Sequence, residues 1–140
     1  MCGIAGIMTR DGTPADGGLL DRLSAALAQR GPDGEGRHAA RNVGLAQRRL
    51  AIIDLVSGDQ PLYEPGGGAL VANGEFYNYV ELRAAMDGVA FTTRSDCEPP
   101  LHLYRRHGLD FVQHLRGMYA IAIHDPAADR LVLARDPFGI

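Results

Sequence analysis

An α+β fold with mainly antiparallel strands is predicted by two observations. Short apolar segments arrive in runs, with helical patterns between only some of them. Two of those segments, Met118–Ile123 and Arg130–Ala134, flank the turn sequence HDPAAD and read as a hairpin. The 140 residues suffice for one domain with a sizeable core, and the 46% hydrophobic content is ordinary for a globular chain.

The elements follow in order. Cys2–Met8 reads as a short buried strand, apolar and tolerant of close neighbours. RDGTPADGG (Arg10–Gly18) is turn chemistry. Leu19, Leu20, Leu23, Ala26 and Leu27 recur at helical spacing, which predicts an amphipathic helix over Gly18–Gln29, ended by RGPDGEG (Arg30–Gly36). Val43–Gln47 and Arg49–Leu55 read as strands, and the turn-rich VSGDQPLYEPGGG follows. Ala69–Ala72 is a further short strand that runs into Asn73-Gly74. Tyr79–Met86 has helical spacing, and Phe91–Thr93 can extend. Ser95-x-x-Glu98 has the form of a capping box ahead of Leu101, Leu103 and Tyr104. Pro99 and Pro100 conflict with it, because each removes an amide where the helix should begin its internal bonds. Either the helix starts later or the segment is altered.

Charge and composition exclude several functions. Seventeen acidic and 14 basic residues give a formal charge of −3, no footprint for nucleic acid or an anionic membrane. The apolar runs are too short to span a bilayer, and MCGIAGIMTRDG lacks the basic start and long apolar block of a secretory signal. Two cysteines, Cys2 and Cys97, make no disulfide framework. A soluble protein of a reducing compartment, the cytoplasm, is expected.

Some residues offer chemistry. Removal of Met1 would leave Cys2 with a free α-amine, which titrates near ~7.7–8.0 and can take the thiol proton. The alternative is that Cys2 merely starts a strand. Asn73-Gly74 can present a side-chain and a backbone N–H to an oxyanion, but Asn-Gly is also the commonest tight hairpin turn. Alternation turns one of Arg48 and Arg49 inward, where it needs a partner such as a substrate carboxylate; two solvated arginines on an edge strand are the alternative. Asp96 can hold a ligand ammonium or favour a helix N-terminus. The five histidines show no metal spacing with either cysteine, and a Cys–His hydrolase stays open. Gly66–Gly68 is not followed by Lys-Ser or Lys-Thr, so no phosphate loop is present.

Several motifs occur in order: MCGIAGI, RGPDGEG, RRLAIIDL, GDQPL, NGEFYNYVELR, SDCE, LRGMYAIAIHD and LARDPFGI. Together they resemble the glutaminase domain of the class II glutamine amidotransferases, in the asparagine synthetase (glutamine-hydrolysing) branch. The likeness covers residues 1–140 and implies an N-terminal nucleophile hydrolase fold, a four-layer αββα sandwich. It implies that Cys2 attacks the amide of glutamine and that its amine shuttles the proton. Asn73 and Gly74 would form the oxyanion hole. Arg49, with Leu50, Ala51, Ile52 and Ile53, would hold the α-carboxylate, while Asp96 and Glu75 would serve the α-ammonium.

The implied product, ammonia, would pass to a synthetase domain or subunit that makes asparagine from aspartate. That domain would use ATP and magnesium, whereas the glutaminase part would need no cofactor or metal. A homodimer is a further expectation. This chain departs from the family pattern at Gln47, often histidine there, and at Pro99-Pro100, which replaces an aliphatic pair and could displace Asp96. The family motif continues past LARDPFGI, so a partial domain with incomplete sheets is expected. An inactive glutamine-binding remnant, or an amidotransferase serving another acceptor, is the alternative.

Overall fold

The computed structural model describes residues 2–140. Among these residues, seven strands form two antiparallel sheets. The first has the order β1-β3-β2, from Gly3–Met8 (β1), Gly34–Ala40 (β2) and Val43–Arg49 (β3). The second has the order β4-β5-β6-β7, from Leu62–Tyr63 (β4), Ala69–Phe76 (β5), Gly117–Asp125 (β6) and Arg130–Arg135 (β7). The helices are α1 (Gly17–Ala26), α2 (Tyr79–Ala84) and α3 (Pro99–His107), followed by a 3-10 helix over Gly108–His114.

Side-chain alternation decides how these elements stack. On β3, Val43 and Leu45 face the second sheet and pack with Val71 and Ala122, joined by Ile4 and Leu131. Gly44, between them, faces Leu20 of α1. On β5, Leu70, Ala72 and Phe76 face the other way, into a core built with Leu101, Tyr104 and Phe111. The result is four layers: α1, two sheets, and the α2–α3 side. The sandwich expected from the sequence is therefore present.

Helix α1 begins where Asp16 accepts the amide of Leu19 at 3.0 Å, a regular N-cap. Helix α3 resolves the proline conflict. It begins at Pro99, so both prolines occupy the first two helical positions, where an amide would have no intrahelical acceptor. Both are buried. The expected capping box does not form: Ser95 Oγ accepts from the amide of Cys97 at 3.1 Å, and Glu98 turns elsewhere.

Two local expectations are corrected, one alternative is excluded and one strand is added. Arg49–Leu55 is not a strand: β3 ends at Arg49, and the following amides go to side chains, Leu50 to Cys2 Sγ (3.3 Å) and Ala51 to Asp33 Oδ2 (2.9 Å). Phe91–Thr93 also forms no strand, because the amides of Thr92 and Thr93 go to the buried carboxylate of Glu98 at 2.7 and 2.8 Å. Of the two readings open for Asn73-Gly74, the hairpin turn is excluded, since β5 runs through it to Phe76. Strand β2 was not foreseen; GEGRHAA is a polar edge strand without an apolar signal.

The two sheets are also joined by a histidine pair. His38 Nε2 on β2 lies 2.8 Å from His124 Nδ1 on β6. Burial, aided by the neighbouring His124, holds His38 below its ordinary value of 6.5. Burial also lowers His124; Arg41 adds to this, while Asp125 and Asp129 oppose it. Between the folded-state values and 6.5 the unfolded chain binds more protons than the folded one. The pair's contribution is therefore complete above about pH 6.5 and is lost as pH falls below it. The midpoint of thermal unfolding should drop between about pH 7.5 and about pH 5.5, and His38→Gln should flatten that dependence. An unchanged profile in the variant would remove the pair as its source.

Candidate active site

A cavity of about 100 Å³ opens at one end of the space between the sheets. The register that pairs Gly3 with Arg48 brings Cys2 alongside Arg49 and Leu50. Cys2 has the same strand parity as Ile4, which faces inward, and it lines the cavity half-buried. On β5, Asn73 and Glu75 share the parity of Val71 and line the cavity from the second sheet.

The backbone of β5 supplies a further donor. Its odd-numbered amides point to β6, as the continuing bond from Tyr77 N to Arg116 O (2.8 Å) confirms. Its even-numbered amides point to the side of β4, which pairs only through Leu62 and Tyr63. Beyond β4, side chains replace the missing strand. The amide of Ala72 donates to Gln60 Oε1 at 2.6 Å, and that of Phe76 to Asp96 Oδ2 at 2.9 Å. The amide of Gly74 lies between these two capped positions, points the same way and meets the cavity. A Cβ at Gly74 would lie 2.6 Å from the carbonyl of Met118 and 2.7 Å from Tyr119 Cβ, so the close approach of β5 to β6 requires glycine.

Charge is divided across the cavity. Arg49 is 7% exposed and donates to Asp59 Oδ1 (2.9 Å), to the carbonyl of Ile53 (3.2 Å) and to that of Asp54. Three of its five N–H donors are thus committed within the chain, and the inward arginine expected to await a carboxylate already has Asp59 as a partner. Gly58 allows this, as a Cβ there would lie 2.6 Å from the guanidinium. Arg48 points to the opposite face, to Glu35 (2.7 Å) and Ser24. Asp96 is 5% exposed. Burial pushes its carboxyl up from the ordinary value, Glu75 adds to the rise, and the Phe76 amide opposes it. Among the described residues neither carboxylate forms an ion pair, and two carboxylates side by side favour a cationic guest.

The two cysteines differ. Burial pushes the Cys97 thiol well up, with Asp96 adding to it, so Cys97 stays a protonated thiol. Cys2 is exposed to the cavity, with its sulfur accepting from the Leu50 amide.

Of the residues named from the sequence, Leu50, Ile52 and Ile53 line the cavity as a roof, as do Arg49, Asn73, Gly74, Glu75 and Asp96. Ala51 does not; it is turned away and bonded to Asp33. Asp96 lines the cavity with Pro99-Pro100 following it at the start of α3. Gln60, Gly58, Ser95, Cys97 and Met118 also line the cavity and were not foreseen. The GDQPL motif was the only sequence signal for Gln60 and Gly58. None of the five histidines lines the cavity, so the Cys–His alternative has no base in place.

A model of the glutamine amidotransferase domain matches residues 1–140. The chain belongs to the glutamine amidotransferase domain family. It is 44% identical over 144 residues to asparagine synthetase [glutamine-hydrolyzing] 2 of Bacillus subtilis (strain 168), covering 100% of this chain and 19% of that protein. It is 43% identical over 142 residues to asparagine synthetase [glutamine-hydrolyzing] 3 of Arabidopsis thaliana, covering 100% of this chain and 25% of that protein. The chain thus spans about a fifth to a quarter of the length of these curated relatives. Among solved structures, the glutamine phosphoribosylpyrophosphate amidotransferase of B. subtilis superposes with a TM-score of 0.75 at 22% identity. That match covers 97% of this chain and 37% of that one, a likeness of fold. In this amidotransferase domain no described helix is long and apolar enough to cross a membrane.

The β5–β6 packing yields a testable contrast. Gly74→Ala should lower the unfolding free energy by about 1–3 kcal/mol through overpacking. Asn73→Ala, whose side chain faces the cavity, should cost about 0.5 kcal/mol or less. Urea midpoints measure both; equal losses would refute the close-approach account.

Proposed function

We propose that this domain hydrolyses glutamine to glutamate and ammonia, with Cys2 as nucleophile. The observation that carries the reading is the meeting of Cys2, the open Gly74 amide and an anionic end in one cavity. Glutamine is a zwitterion with an uncharged reactive end. In the proposed pose its ammonium lies against Asp96 and Glu75, and its carboxylate uses the remaining donors of Arg49. Fixing the head at both charges delivers the amide to the thiol.

The steps follow from these groups. Removal of Met1 exposes the amine of Cys2, which takes the thiol proton as sulfur attacks the amide carbon. The Asn73 side chain and Gly74 N–H hold the oxyanion. The amine then gives its proton to the departing nitrogen, and ammonia leaves a thioester. Water, deprotonated by the same amine, hydrolyses the thioester to glutamate and restores the thiol. Thiol, amine and donors supply this chemistry without a metal or organic cofactor.

Likeness to the asparagine synthetases supports an ammonia-accepting synthetase domain or subunit, which would use ATP and magnesium to make asparagine. These 140 residues are then the glutaminase part of that activity, in the cytoplasm. A homodimer belongs to the same proposal.

Ammonia and glutamate release from glutamine tests the assignment. Cys2→Ala should reduce turnover by about a thousandfold or more, whereas Cys97→Ala should leave it largely intact. Survival of activity in Cys2→Ala would refute the nucleophile. Asp96→Asn keeps an acceptor for the Phe76 amide but removes the charge. It should raise the KM for glutamine about tenfold, the weight of one charge-assisted contact, with kcat less affected. An unaltered KM would remove Asp96 from the ammonium site.

A further inference from the structure

The roof of the cavity is held by polar contacts rather than by packing. Leu50, Ile52 and Ile53 line the cavity from the loop that follows β3. Yet Ile52 is 71% exposed, and the next apolar side chains, Leu55 and Val56, are 69% and 92% exposed. The apex therefore gains little from the hydrophobic effect, and something else must keep it over Cys2.

Asp54 is where those contacts converge. It adopts a left-handed conformation (φ 54°), uncommon for a residue other than glycine. Its Oδ1 accepts the amide of Ser57 at 2.9 Å, and its Oδ2 accepts the Ser57 hydroxyl at 2.6 Å. The same Oδ2 accepts the amide of Arg94 at 2.8 Å, across 40 residues of sequence. Its carbonyl accepts from Gly58 N at 3.2 Å and from the Arg49 guanidinium. One residue thus joins the roof loop to β3 and to the segment that carries Asp96, two residues beyond Arg94. Asp54 itself does not line the cavity.

We propose that Asp54 is a positioning residue that latches the roof loop over Cys2, by tying it to the Arg94 amide and to Arg49. Burial alone would raise its carboxyl, but the Ser57 hydroxyl and amide and the Arg94 amide outweigh it and bring it to about 2. The latch is therefore ionised near neutral pH, and it is not a pH gate. Opening the roof costs the Arg94 bond and one Arg49 bond together. Closing it sets Leu50 and Ile53 against the cavity and fixes the distance between Arg49 and Asp96.

Asp54→Asn separates the latch from the backbone. Asparagine tolerates the left-handed conformation, but it is uncharged and its single carboxamide oxygen cannot accept from both the Ser57 amide and the Arg94 amide, which the carboxylate meets with Oδ1 and Oδ2 respectively. In the full protein, Cys2 should be alkylated by iodoacetamide about tenfold faster in Asp54→Asn than in the wild type, the weight of one lost charge-assisted bond. Mass spectrometry locates the label. Cys97 lines the same cavity but is 5% exposed with its thiol pushed well up, so it should be labelled more slowly than Cys2 in both proteins. The KM for glutamine should rise by a similar factor, with kcat within about twofold. An unchanged alkylation rate overturns the latch. A thermal unfolding midpoint lowered by more than about 5 °C in Asp54→Asn also overturns it, because the residue would then hold up the whole fold. The KM arm rests on the proposed glutaminase reading; alkylation does not. A wild type that turns over no glutamine would sink that reading while the labelling contrast still decides the latch.

Discussion

The site depends on a strand that ends too soon. β4 accompanies β5 through only Leu62 and Tyr63, yet β5 runs on to Phe76. An unmet buried amide costs about 1–3 kcal/mol, so the exposed edge cannot be left bare. Gln60 and Asp96 satisfy Ala72 and Phe76 at either side of the gap. The amide between them, on Gly74, faces the cavity beside Cys2. A donor is thereby held ready by a sheet that cannot rearrange without losing both caps. The same constraint makes Asp96 a structural and an electrostatic residue at once. One carboxylate oxygen is spent on the strand, and its charge remains for the cavity.

A second consequence is the division of charge. Arg49 leaves β3 at the cavity mouth and is spent partly on Asp59 and on the roof carbonyls. Glu75 sits on β5 of the other sheet and Asp96 in the turn before α3, and among the described residues neither forms an ion pair. The cavity thus has a largely neutralised cationic corner and an unneutralised anionic one. In the proposed reaction, the ammonium of glutamine would gain more from binding than its carboxylate. The unequal balance is set by which side chains the fold has already consumed.

Much of the irregular chain around the cavity is organised by buried carboxylates rather than by strands. Glu98 is fully buried and accepts from the amides and hydroxyls of Thr92 and Thr93. Those bonds outweigh its burial and keep its carboxyl below the ordinary value. Arg83 reaches the carbonyls of Ser95 and Thr93 from α2. Such hubs explain why apolar pattern misread this region. Phe91–Thr93 and Arg49–Leu55 have strand composition, but their amides find side chains first. Strand β2 was missed for the opposite reason: its composition is polar, and it exists because β3 offers it an edge.

The sequence by itself determined the class of fold, the α1 and α3 helices, the β6–β7 hairpin and, through ordered motifs, the family and most of the cavity residues. These rest on local periodicity, turn chemistry and residue identity, which are written in neighbouring positions. Only the tertiary structure decided that Asn73-Gly74 lies within a strand, that Arg49 is already partnered, and that Gln60 and Asp96 complete one sheet edge. It also separated Ala51 from the cavity and placed every histidine away from Cys2. Each of those outcomes depends on which backbone donor is left over after the sheets pair. That remainder is set by contacts between residues far apart in the chain, and no short stretch of sequence contains it.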